Sequence, residues 1–104
     1  MVRRSFNQAT LTRLREMTSE DALSLLAIYC KADPTFHPVK QTSTRRWHVL
    51  TTGGEFEIVT TGVKWLDTRV NKGGGGAIDL AMHVLELSFV DAVKALVARR
   101  HRHG

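Results

Sequence analysis

The chain has 104 residues, 42% of them hydrophobic, and 15 Lys and Arg against 10 Asp and Glu, giving a formal charge of +5 and an isoelectric point near 10. That length holds one domain with a modest core, and no apolar run reaches the roughly 20 residues that a membrane-spanning helix needs. The single cysteine excludes an internal disulfide framework and fits a reducing cytoplasm, while the excess of cations favours an acidic partner, most economically nucleic acid.

The opening MVRRSFNQAT has positive charge but no apolar segment behind it, so no signal peptide is expected. Residues 1–104 read as a single domain with flexible basic ends at 1–7 and 99–104. A short helix is expected over residues 8–16, with Leu11 and Leu14 as its apolar edge. Thr18-Ser19-Glu20-Asp21 then opens a clearer helix: a hydroxyl cap followed by acids satisfies the first amides and complements the helix dipole. Leu23, Leu26, Ala27 and Cys30 fall at helical spacing, which carries this helix to about Lys31, before Ala32-Asp33-Pro34 ends it. Asp33 to Thr44, with two prolines, reads as loop.

RRWHVLTT, GG and EFEIVTT follow as a hairpin with Gly53-Gly54 at its turn. Phe56 and Ile58 alternate with Glu55, Glu57 and Val59, as on a half-buried strand. VKWLDTRV supplies a third strand anchored by Trp65. Residues 77–86 form a helix with Ile78, Met82 and Leu85 on one face; Ser88-x-x-Asp91 caps another, whose apolar face is Phe89, Val93, Leu96 and Val97. The expected fold is α+β, a small three-stranded antiparallel sheet packed against helices.

Gly73 to Gly76 stand directly before the helix at 77. A kinase- or ATPase-type phosphate loop needs Lys-Ser/Thr after its last glycine, where this chain has Ala77 and Ile78. The dinucleotide fingerprint needs a spacing that these glycines do not provide. Asp79, in the helix's first turn, opposes an anion at that end. A tight turn with close approach to a neighbouring element is the expected role.

The stretch KWLDTRVNKGGGGAIDLAMHVLELSFVDAVKAL, Lys64 to Leu96, resembles the end of the zinc-binding domain that begins DnaG-type bacterial primases. It is still more similar to the zinc-finger-like modules that precede Toprim primase domains in plasmid and mobile-element proteins. The matching parts are Gly75 to Leu80, and Ser88-Phe89 with Asp91-Ala92-Val93 and Leu96. The resemblance would set two knuckle cysteines near Thr68 and Asn71, and neither is a thiolate. Cys30 and His37 are not convincing equivalents of the upstream ligands. Structural zinc takes about four Cys or His ligands with a local pair closing the knuckle, so neither zinc nor any other cofactor is expected. Cys30 reads as a buried small hydrophobe.

What the resemblance implies is a template-binding role, in which a sheet and its basic rim hold single-stranded DNA while a separate Toprim domain performs catalysis. Such a role needs cations along a backbone track and rings for the bases. Arg45, Arg46, Trp47 and His48 lie on one strand, Lys64 and Trp65 on another, and Arg69 and Lys72 flank the glycines. Arg46, Lys64, Arg69 and Lys72 are the foremost phosphate contacts expected, with solvated surface charge as the alternative for each. Trp65 reads as core and Trp47 as either core or stacking ring. Arg99 and Arg100 read either as phosphate contacts or as a helix end whose cations complement the dipole.

His83 reads as a surface histidine, and the terminal His-Arg-His as a poor specific metal site. No Ser-His-Asp or Cys-His set, paired carboxylates or Toprim acidic motif is found, so the chain is expected not to be an enzyme. Two functions follow. One is a single-stranded-DNA-binding accessory module of a plasmid or mobile-element replication or priming system. The other is a module that docks a DNA polymerase, primase or helicase without touching DNA, marked by an exposed apolar patch around Phe36, Leu50 or Val59.

Overall fold

The protein is described by a computed structural model covering residues 6–40 and 42–103. Two short helices open it, α1 (Gln8–Glu16) and α2 (Ser19–Leu26). Five strands follow: β1 (Tyr29–Ala32), β2 (Arg45–Thr51), β3 (Gly54–Thr61), β4 (Lys64–Asp67) and β5 (Lys72–Gly75). The helices α3 (Ala77–Leu85) and α4 (Phe89–His103) finish it. Each strand pairs antiparallel with the one before it, so the sheet order is β1-β2-β3-β4-β5. Among the described residues no helix is long and apolar enough to cross a membrane.

The α+β class stands, but the expected three-stranded sheet is corrected to five strands, one added at each edge. The helix expected to reach Lys31 stops at Leu26, because Ala27 is extended at φ −83°, ψ 144°. Tyr29 to Ala32 then form β1. Helical spacing and strand alternation both place Cys30 on an inner face, so periodicity alone does not separate them. At the other edge, three of the four residues of β5 are glycine, which strands ordinarily avoid.

The glycines therefore extend a sheet where a turn was expected. Gly74 explains the strand. A Cβ there would run into the Asp79 carboxylate and, at 2.8 Å, the Trp65 ring. At position 74 only a residue without a side chain fits between Trp65 and the start of α3. The β2–β3 turn also shifts by one residue: Thr51 pairs with Gly54, leaving Thr52-Gly53 as the two-residue loop.

The helices cover one face of the sheet. Val49, Thr51, Ile58, Thr60, Trp65 and Asp67 point into that layer and are buried. Leu80, Ala81 and Val84 of α3 meet them, with Leu14, Leu23, Leu26, Val93 and Leu96 from the other helices. The Thr51 hydroxyl donates to the Val84 carbonyl. Ser19, buried at the start of α2, donates through its N–H to the Gly62 carbonyl at 2.8 Å and through its hydroxyl to the Lys64 carbonyl at 3.2 Å, tying that helix to the β3–β4 turn. Both expected caps form: Thr18 Oγ1 accepts from the Asp21 N–H at 3.1 Å, and Ser88 Oγ from the Asp91 N–H at 3.2 Å. Phe89 is a correction to the expected α4 core face, being 39% exposed beside the glycines.

Candidate nucleic-acid interface

Among the described residues no helix covers the sheet's other face. Strand alternation sends Tyr29, Arg46, His48, Leu50, Val59, Lys64 and Leu66 to this side. Tyr29, the only tyrosine, stands 54% exposed opposite Leu50. With His48, Leu50, Glu55, Phe56 and Arg69 it lines a shallow hollow of about 230 Å³. Placing residue 29 on a helix hides this ring; the signal for it is Ile28-Tyr29, a β-branched and aromatic pair that favours a strand.

The expected tryptophans face the other way. Trp65 is 3% exposed, as its reading as core required. Trp47 is half-buried against the core and donates its indole N–H to the Thr60 hydroxyl at 3.0 Å, so it offers no free stacking face on the open side.

The expected cations divide into two groups. Arg46 is occupied: its Nε and Nη2 lie 2.9 and 2.8 Å from Asp33 Oδ2, and its guanidinium sits 5.2 Å from the Phe36 ring centre. Asp33 also accepts from the Thr35 hydroxyl at 2.6 Å and the Thr35 N–H at 2.8 Å. Those two bonds first, and then Arg46, hold its carboxyl well below the usual aspartate range. His48 Nε2 lies 3.4 Å from the same oxygen. Arg45 meets Glu20 at 3.5 Å in an exposed pair of the kind that contributes little to stability. Arg99 donates to the Leu26 carbonyl at 3.0 Å, placing its cation at the negative end of α2. Arg100 is half-buried farther along α4, which runs to His103 through most of the segment expected to be a flexible end.

Lys64, Arg69 and Lys72 form the second group. All three are exposed on the β4–β5 hairpin, and among the described residues none enters an ion pair. Arg3 and Arg4 lie outside the described residues.

The β4–β5 turn occupies the place where the resemblance would put its knuckle. Hydrogen bonds close it: the Thr68 N–H donates to the Glu57 carbonyl at 3.2 Å, the Thr68 hydroxyl to Glu57 Oε1 at 2.6 Å, and the Arg69 N–H to Asp67 Oδ1 at 3.0 Å. Asn71 takes a left-handed φ of 54°. His83 belongs here too, which corrects its reading as a surface residue. Its Nε2 lies 2.7 Å from Asp67 Oδ2, and its ring stacks on Trp65 at 5.0 Å and tilts toward Phe56 at 5.6 Å. No local motif announces this pairing of residues on different elements.

Among the described residues no three His, Cys, Asp or Glu side chains gather so as to hold a metal ion. Cys30 is half-buried, and desolvation first, then the Glu20 charge, push its thiol up to about 11, which leaves it a poor nucleophile. Comparison with protein-family models, with curated proteins and with solved structures finds no match for this chain.

Proposed function

We propose that this protein binds single-stranded nucleic acid along the open face of its sheet. On that reading it serves as a template-binding accessory module of a plasmid or mobile-element priming system, with no catalysis of its own. The observation that carries the proposal is the pairing of an exposed ring with unneutralised cations. Tyr29 and Arg69 line one hollow from across β2 and β3, and Lys64 lies on the same face at the far end of β4, whereas Lys72, paired with Asp67, lies toward the helix side. The ring supplies a face for a base and the cations meet the backbone, a combination that tolerates any sequence. Arg46 orders the loop after β1 by holding Asp33, and so shapes the rim without contacting phosphate.

The test is an anisotropy titration with a labelled single-stranded oligonucleotide at several salt concentrations. Phosphate contacts from Lys64 and Arg69 give a slope of about −1.4 in log affinity against log salt. Reversing Lys64 and Arg69 to Glu abolishes binding, and Tyr29→Ala weakens it by about 1–3 kcal/mol. A folded protein that fails to bind at low salt, or binds unchanged after the two reversals, rules the proposal out.

Leu66, 37% exposed and paired with half-buried Val59, and Leu50, 37% exposed farther along the same face, favour a second reading: that face docks a polymerase, primase or helicase. Under it, partner capture survives the Lys64 and Arg69 reversals and is lost on Leu50→Asp or Leu66→Asp.

A further inference from the structure

Packing explains two of the three glycines in β5 but not the third. Gly74 leaves room for Asp79 and Trp65, and a Cβ on Gly73 would press on the Trp65 carbonyl at 3.2 Å. A Cβ on Gly75 meets nothing within 4 Å, and its φ lies outside the left-handed region. Beside that unobstructed position runs the sheet's edge, whose outward N–H and C=O groups are open to pairing with another chain.

The hydrogen-bonding pattern shows which groups remain for that backbone. The Gly76 N–H donates to the Val63 carbonyl at 2.7 Å. Alternation along the antiparallel ladder then makes Trp65·Gly74 and Asp67·Lys72 the hydrogen-bonded pairs. The N–H and C=O of Gly73 and the C=O of Gly75 therefore point away from β4, toward solvent. The Gly75 N–H is held by Asp79 Oδ2 at 3.1 Å. Past Gly75 a hollow of about 380 Å³ opens, with Arg15, Val63, Ile78, Met82 and Phe89 in its walls, together with Asp79, whose carboxylate is engaged by the Gly75 N–H. Val63 is 38% exposed and Phe89 39%. Lys72 at one end of the edge and Arg15 at the other enter no ion pair among the described residues.

We propose that β5 receives an extended, acidic segment of a partner protein as a sixth strand. Its main chain bonds Gly73 and the Gly75 carbonyl, an apolar side chain seats between Val63 and Phe89, and its carboxylates meet Lys72 and Arg15. Main-chain bonds give such a docking its affinity, while the hollow and the two cations give it selectivity. The proposal concerns the sheet's edge and does not rest on nucleic-acid binding by its open face.

The probe is a labelled peptide of about ten alternating Glu and Val residues, compared with a Lys–Val peptide of the same length. Binding is read by anisotropy, and exchange of the Gly73 amide by NMR. The Glu–Val peptide binds, the Lys–Val peptide does not, and the Gly73 amide becomes protected. Lys72→Glu and Arg15→Glu, both at exposed side chains, each weaken binding about tenfold with unfolding temperature unchanged. Equal binding of the two peptides, an unprotected Gly73, or full affinity in both folded variants overturns the proposal. So does protection of Gly73 by self-association without peptide, since the occupant is then a second copy of the chain.

Discussion

The β2–β3 and β4–β5 hairpins of this sheet are held in opposite ways. β2 and β3 are fixed by what their side chains bury: Val49 and Ile58 enter the core, and a one-residue slip would expose them. β5 contributes no apolar side chain to the core. It stays in place because Gly74 lacks a Cβ, which lets the Asp79 carboxylate and the Trp65 ring close over the strand. A strand can thus be specified by an absence, provided that neighbouring elements supply the atoms filling the space.

Substitutions probe this contrast directly. Ile58→Ala in β3 has the largest expected effect, about 3 kcal/mol lost in urea unfolding, because the fully buried side chain leaves a cavity between the sheet and its helices. Gly74→Ala comes next, at about 2 kcal/mol, since the new methyl displaces both Asp79 and Trp65. Gly75→Ala, one position on, is the control: it is neutral, or stabilising by up to about 1 kcal/mol through the unfolded chain. Equal costs at the two glycines would break the contrast, and a neutral Gly74→Ala would remove the account of β5.

The smallest effect concerns pH. The hydrogen bonds from Thr35 and Arg46 favour the Asp33 carboxylate, so its folded pKa lies below its unfolded value. The stability it contributes is complete above the ordinary value of about 3.9 and is lost as pH falls through the depressed folded value. In an NMR titration Asp33 holds its charge to lower pH than an ordinary aspartate does. In the Asp33→Asn variant the loop joining β1 to β2 loosens already at neutral pH. An Asp33 midpoint at the usual aspartate value would show that the pair with Arg46 does not order this loop.

Much of the interior was legible in local pattern. Leu11 and Leu14 marked α1, Thr18 and Ser88 marked two helix starts, and alternation around Ile58 marked β3. Both edges of the sheet were not. At β1, Leu26 and Cys30 continue a helical spacing past the true end of α2, where an extended Ala27 overrides it. At β5, glycine carries no strand signal, and the reason for the strand lies in residues distant along the chain, Trp65 and Asp79.

The candidate interface divided in the same manner. Charge singled out Arg45, Arg46, Lys64, Arg69, Lys72 and Arg99 alike, and only three-dimensional pairing sets Arg46 and Arg99, held by Asp33 and the Leu26 carbonyl, apart from the others. Tyr29 was lost with β1. His83 lay outside any motif, because its partner Asp67 sits on another element.

The strand order itself bears on assembly. Since every strand adds beside its immediate predecessor, the sheet can be built progressively, from the first hairpin outward, without long loops closing first. The last strand then awaits α3, whose Asp79 clasps it from the following turn. The glycine strand is thus the step at which sheet and helix layer must come together.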